Sequence, residues 1–175
     1  MALQTIAMAP DKLATDRLSG ERLRLDHLDP LVNMHRDPRI MATLGGTRSI
    51  ADSETFVEAN LDHWRRNGFG LWIFRRSSDG AFVGRAGLRR VHVGGADEVE
   101  VAYVLASEMW GHGLATEIAR KLIVIGFGDL QLTTLVAFTL PDHRASIRVM
   151  DKAGLRFERA IVHREKPHVL YRINA

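Results

Sequence analysis

Between Tyr103 and Phe127 the chain reads YVLASEMWGHGLATEIARKLIVIGF. A short apolar strand ends, Gly111 and Gly113 flank His112, and an amphipathic helix opens directly from the glycines. A strand that feeds a helix in this way must return through a crossover. The next strand pattern, Thr133–Thr139, is therefore expected to lie parallel to the one before the loop. The glycines also let backbone N–H groups approach one another with no side chain between them. The helix N-terminus adds a partial positive charge of roughly half a unit. Such a turn suits a phosphate. The plainer reading is a glycine-rich strand-to-helix turn with no ligand.

The residues exclude two common phosphate loops. A P-loop needs Lys followed by Ser or Thr after its second glycine, and Leu114 and Ala115 stand there. A dinucleotide fingerprint needs a third Gly or Ala three residues beyond the second, and that position is Thr116.

Elsewhere the periodicity alternates between helix and strand. Leu23-Arg24-Leu25 reads as a first strand. Asp29-Pro30 and Asp37-Pro38 each offer an N-cap with proline in the first turn, and Gly45-Gly46 ends that segment. Ser49 with Asp52 predicts a capping box, followed by an apolar stripe of Phe56, Val57, Leu61 and Trp64 and a stop at Gly68. Leu71–Phe74, Phe82–Val91 and Glu98–Leu105 predict an antiparallel meander. After the loop come a helix from Leu114, the strand Thr133–Thr139, a helix over Arg144–Lys152 closed by Gly154, and a hairpin of Phe157–His163 and Val169–Ile173 around Lys166-Pro167. The fold class is mixed α/β: one domain over residues 15–175, preceded by an N-terminal extension over residues 1–14.

Composition removes several functions. The 175 residues contain no cysteine, which excludes disulfides, thiolate metal sites and a cysteine nucleophile and fits a reducing, cytoplasmic setting. Met1–Pro10 makes a poor signal peptide, and Leu122–Gly128, the longest run without a polar side chain, is far short of a membrane span. A net charge of +3 and pairs such as Arg75-Arg76 and Arg89-Arg90 do not make a nucleic-acid tract, despite a pI near 9.7. The eight histidines form no His-x-His or His-Glu-x-x-His pair. Only His163 and His168, across the last hairpin, are placed to meet, so no metal is expected.

The run from Trp110 to Glu117 resembles the acetyl-CoA loop of the GNAT superfamily of N-acetyltransferases. More narrowly, it is similar to the branch that acetylates the N-termini of ribosomal proteins. Three further stretches carry the resemblance: Thr15-Asp16-Arg17-Leu18, Val83–Leu88 with Glu100–Tyr103, and Leu140–Leu155. In the last of these Ser146, Lys152 and Gly154 match the family pattern. His143 stands where Asn is usual and Leu155 where Phe is usual. The resemblance implies a mostly antiparallel sheet flanked by helices, with one parallel pair splayed beside the loop. It implies acetyl-CoA as co-substrate, with no metal, and an amine as acceptor: a protein or peptide α-amine or a small amine.

Acetyl transfer from a thioester needs a neutral amine, because an ammonium has no lone pair. Glu100, on one strand face with Ala102 and Val104, is the candidate base, acting through water as the resemblance implies; a solvated strand carboxylate is the alternative. Many relatives carry a tyrosine acid at the position of Met150, so the acid is unassigned. Ser146 could bond the sulfur or the pantetheine, and His143 could donate a proton or contact the cofactor. Backbone groups of Gly111, His112, Gly113, Leu114, Ala115 and Thr116 would hold the pyrophosphate. Val104 and Leu105 would offer free backbone groups to the pantetheine. Trp110 would either cover that arm or fill the core. A noncatalytic acyl-CoA sensor of the same fold is the competing function. The closing strand Val169–Ile173 is the expected contact of a homodimer.

Overall fold

The computed structural model describes residues 7–175; residues 1–6 of the expected N-terminal extension lie outside the described residues. Eight strands form one sheet in the order β1-β2-β3-β4-β5-β6-β8-β7. They are β1 (Lys12–Ala14), β2 (Leu18–Arg22), β3 (Leu71–Arg76), β4 (Phe82–Val93), β5 (Ala96–Leu105), β6 (Thr134–Thr139), β7 (Arg156–His163) and β8 (Lys166–Asn174). The helices are α1 (Leu28–Arg36), α2 (Pro38–Met41), α3 (Ile50–Asn67), α4 (Leu114–Phe127) and α5 (Arg144–Ala153). Only β5 and β6 run parallel, as the crossover through α4 requires.

Local signals explain most boundaries. Asp37 caps α2 by accepting from the Arg39 N–H at 2.9 Å, with Pro38 in the first turn. Ser49 and Asp52 close a reciprocal capping box, and Gly68 ends α3 with a left-handed φ of 73°. In β4 a Cβ on Gly87 would stand 2.0 Å from the Gly70 carbonyl oxygen, so β3 and β4 can approach this closely only with glycine there.

Strand alternation separates two cores. Leu71 and Ile73 face α1–α3 and pack with Leu23, Leu31, Met34, Ile40, Met41 and Val57. Trp72 and Phe74 join the larger core with Val101, Leu105, Ile118, Leu122 and Met150, under α4 and α5. Val104 packs with the α1–α3 core, whereas Tyr103 packs with the α4–α5 core. The two sides of β5 are thereby assigned.

Four expectations are corrected. The first strands lie upstream of Leu23: β1 and β2 form an edge hairpin, so part of the expected extension belongs to the sheet. Leu25 instead opens a single 3-10 turn, Leu25–His27, whose His27 Nδ1 accepts from the Arg24 N–H. Helix α1 then starts at Leu28, two residues before Pro30. Arg164 and Glu165, both at positive φ (50° and 63°), make the last turn, and Pro167 sits inside β8 opposite Val162. Two consecutive residues at positive φ match the twist of a two-residue hairpin, and this outweighed the proline signal. Finally, β8 lies between β6 and β7, so Val169–Ile173, the expected dimer contact, is paired on both sides, and the edge beside it is β7.

His35 is fully buried, 2.9 Å from Ser53 Oγ and edge-on to Phe56. Burial, with Arg85 and Arg48 nearby, pulls it down to about 4. The unfolded chain takes up that proton near pH 6.5 and the folded chain does not, so stability falls as pH drops from about 6.5 to 4. The full effect is about 3 kcal/mol. Urea unfolding of His35→Gln beside the parent should show a flatter pH dependence across that window. Parallel curves would mean that His35 does not titrate this way.

Candidate active site

The glycine loop is held open at the start of α4. Gly111 and Gly113 take left-handed φ values of 79° and 74°. No backbone or side-chain acceptor meets the N–H groups from Gly111 to Thr116 among the described residues; the first paired one is Glu117 N–H, which donates to the Gly113 carbonyl at 3.1 Å. Consecutive unpaired donors at a helix N-terminus make a cradle for an anion. A Cβ on Gly111 would meet nothing within 4 Å, so the space in front of the loop is open. Leu114 points into the core, while Ala115 and Thr116 are half-buried on the first turn. These features fit the diphosphate of a CoA thioester.

Three residues without an expected role, Thr15, Arg17 and Glu117, fix this loop. Arg17 Nε and Nη2 both lie 2.7 Å from Glu117 Oε2, and Arg17 Nη1 donates to the His112 carbonyl at 2.9 Å. Glu117 Oε1 also accepts from Thr15 Oγ1 and, at 2.9 Å, from the Arg17 N–H. Burial works against the charge of Glu117, but these donors outweigh it and hold the carboxyl below its ordinary range. The β1–β2 hairpin is thus pinned to the first turn of α4, and a guanidinium stands beside the loop. The signal was the Thr15–Leu18 motif, which fixed a resemblance without revealing that its partner lay about a hundred residues away.

Beside the loop the sheet opens. Glu100↔Val136 is the one register pair between β5 and β6, and from Val101 to Leu105 the β6 side of β5 has no strand partner. The backbone of Val104 lies along this gap. Leu105 does too, but its carbonyl is taken by the Trp110 indole N–H at 3.0 Å. Trp110 is 49% exposed, so it lies over the end of β5 and not in the core.

Glu100 is buried on the α1–α3 face. Its Oε2 accepts from Arg89 Nη2 at 2.8 Å, while Oε1 has no partner among the described residues. Ser146 lies across the sheet. Its Oγ is 3.0 Å from the Tyr103 hydroxyl, which also donates to the Ser146 carbonyl at 3.2 Å. Burial pushes Tyr103 up to about 12, so its proton stays on. The structure therefore does not bring Glu100 and Ser146 together on one face; they flank the splayed strands from opposite sides. His143 folds back onto Thr139 Oγ1 at 3.0 Å, and burial lowers its proton affinity against the opposing charge of Asp142. Met150 is buried in the α4–α5 core and offers no acid. His163 and His168 meet edge to face at 5.5 Å, both close to Phe138.

Residues 17–156 match the family model of the acetyltransferase (GNAT) domain. The chain belongs to the GNAT family of acetyl-CoA-dependent N-acetyltransferases. A relative from Bacillus subtilis, the uncharacterized protein YkkB, is 30% identical over 167 residues, covering 93% of this chain and 95% of its own. Among solved structures, Mycobacterium smegmatis RimJ in complex with CoA-disulfide superposes with a TM-score of 0.78 at 18% identity, covering 95% of this chain and 88% of its own. Spermidine N-acetyltransferase from Vibrio cholerae, in complex with CoA and spermine, gives 0.72 at 16% identity, with coverages of 90% and 95%. The mixed sheet, its parallel pair and the flanking helices are those of the GNAT fold.

Acetyl-CoA should raise the melting temperature of the protein by mass action. A side chain on Gly113 would be strained at its φ of 74° and would stand 3.7 Å from Arg17 Nη2. Gly113→Val is therefore expected to abolish that rise in a thermal-shift titration while the protein stays folded. An unaltered rise would move the cofactor elsewhere.

Proposed function

We propose that the protein transfers the acetyl group of acetyl-CoA to a primary amine by direct attack of the amine on the thioester. The observation that carries this reading is the splay itself. A donor cradle at Gly111–Thr116 and an unpaired strand edge lead to a carboxylate whose Oε1 is free. RimJ in complex with CoA-disulfide and the spermidine enzyme in complex with CoA support a CoA thioester as the ligand of this fold here.

Within that reading the diphosphate sits on the loop, with Arg17 adding charge and Thr116 a hydroxyl. The pantetheine runs along Val104 and Leu105 beneath Trp110. Glu100 Oε1 takes the proton of the incoming amine through a water, and the lone pair of the amine forms the C–N bond. The C–S bond breaks and the thiolate leaves. Thiolates are stable enough near neutral pH that one well-placed hydroxyl suffices to receive them. Ser146, with its Oγ shared with a protonated Tyr103, is that hydroxyl. His143 borders the same side of the gap. Candidate acceptors are a protein or peptide α-amine and small amines.

Two measurements test this. Free thiol should appear when acetyl-CoA and an amine are mixed with the enzyme; binding without release would make the protein a sensor. Glu100→Gln should lower kcat/KM most at low and neutral pH, with acetyl-CoA affinity kept. The deficit should shrink as rising pH supplies neutral amine unaided. A deficit independent of pH would make Glu100 structural.

For assembly, a homodimer would use the exposed β7 edge, where Phe157 and Val162 stand in solvent beside Arg156, Arg159 and Arg164. Light scattering at micromolar concentration should give about twice the 19.6 kDa chain mass. A single-chain mass would retire the dimer.

A further inference from the structure

The acceptor side of Glu100 carries positive charge that the protein leaves unpaired. Arg85 is 95% buried, as its 5% exposure records, yet its side chain makes no hydrogen bond or ion pair among the described residues. Its guanidinium carbon lies 4.5 Å from the centre of the Phe56 ring, and that of Arg48 lies 5.0 Å from the same centre. Arg48 likewise makes no side-chain hydrogen bond, and Arg164 at the β7–β8 turn is close enough to repel it. Arg89 is engaged by Glu100 through one nitrogen, but its Nε is bare.

The balancing carboxylates are few. Glu100 belongs to Arg89, and Asp52 is held by Ser49 in the α3 capping box. Glu98, on the same sheet face, is held by Arg172. The three buried polar atoms without a partner among the described residues are His35 Nε2, Arg85 Nε and Arg89 Nε. All three belong to this one region. His35 is neutral there: Ser53 Oγ donates to the Ser49 carbonyl and so accepts from His35 Nδ1–H, which leaves Nε2 a bare acceptor.

A buried guanidinium without a partner is costly, and unsatisfied buried groups gathered in one place call for a ligand. The geometry points to an acceptor that is a primary amine bearing a carboxylate, with Arg85 and Arg48 at Phe56 holding the carboxylate and Glu100 receiving the amine. This inference rests on the acetyltransferase reading. A planar carboxylate matches the fork of a guanidinium, and Arg85 brings to it a charge that the nearby Glu100 carboxylate attracts but that no protein group hydrogen-bonds. The same cations disfavour an ammonium, so they help keep the bound amine neutral for attack. They also oppose polycationic acceptors.

The test uses the full chain and matched acceptors: leucine against leucinamide, and β-alanine against β-alaninamide, with phosphoethanolamine and spermidine as further arms. Thiol release from acetyl-CoA should favour each acid over its amide in kcat/KM by about 10- to 100-fold, as expected for a charge-assisted contact. Arg85→Met should erase that preference through KM and leave the acetyl-CoA thermal shift in place. Because it removes an unpaired buried charge, it should also raise the melting temperature of the free protein. Arg48→Gln, on a less buried side chain, should weaken the preference in the same direction.

Equal turnover of acid and amide, or a preference for spermidine, would overturn the proposal; a preference for phosphoethanolamine would overturn it in favour of a phosphate. A fall in stability with Arg85→Met, or lost cofactor binding, would make Arg85 structural. If no amine releases thiol, the acetyltransferase reading fails, and thermal shift with N-acetyl-leucine against its amide still decides whether this face binds a carboxylate.

Discussion

The separation of β5 from β6 after a single register pair is the constraint on which the rest of the molecule depends. Parallel neighbours normally continue pairing, and an unpaired stretch of strand inside a sheet leaves backbone groups unsatisfied. Here the gap persists because both strands are anchored elsewhere. β5 is paired with β4 along its whole length, from Val93↔Ala96 to Gly84↔Leu105, and β6 is paired with β8 from Thr134 to Thr139. Helix α4 packs across both strands from one side. The sheet can therefore leave one seam open without losing the cooperativity of either half.

The loop at the head of α4 is a consequence of that seam. A strand that stops pairing at Glu100 but continues to Leu105 delivers the chain to the edge of the gap. The left-handed Gly111 and Gly113 then turn it into a helix whose first N–H groups face outward. This arrangement needs a brace, because a helix end with unpaired donors is free to fray. The Thr15–Arg17–Glu117 cluster supplies it from the far edge of the sheet. An exposed ion pair alone contributes little, but Glu117 collects donors from two residues and the backbone, which makes the contact directional.

Much of this was legible in the sequence because the signals were local. The Ser49–Asp52 box, the Asp37-Pro38 cap, the stops at Gly68 and Gly154 and the strand–glycine–helix run each act within a few residues. What escaped were effects carried by distant partners. The β1–β2 hairpin has no strong alternation, and Lys12–Ala14 is a strand only because Leu13 and its neighbours find β2. The last hairpin turned at Arg164-Glu165, residues with no turn preference, because the register between Ile161 and His168 left two positions to close it. In the candidate site, Glu100 is singled out by its place before the loop. The cations around it lie on three segments, Arg48 before α3, Arg85 and Arg89 on β4 and Arg164 in the β7–β8 turn, and only the fold brings them together. Ser146 is singled out by motif, but its placement across the sheet from Glu100 depends on which face α5 covers.

That two-sided arrangement carries the last step of the argument. Along β5, Glu100 and Val104 look toward α1–α3, while Val101 and Tyr103 look toward α4 and α5. In a closed sheet the two faces could not share a reaction, since the backbone would stand between them. The open seam removes that barrier over the length from Val101 to Leu105. A thioester lying in the seam would present one side to the charged acceptor face and the other to the hydroxyls of Tyr103 and Ser146. In the proposed reaction, proton removal and thiolate departure would then take place in different dielectric surroundings. The acceptor face is rich in guanidinium and can keep an amine neutral. The thiol face is apolar apart from its paired hydroxyls and disfavours a lasting anion. Under the proposed mechanism, the defect in the sheet would let one fold keep these two environments apart and still join them at a single bond.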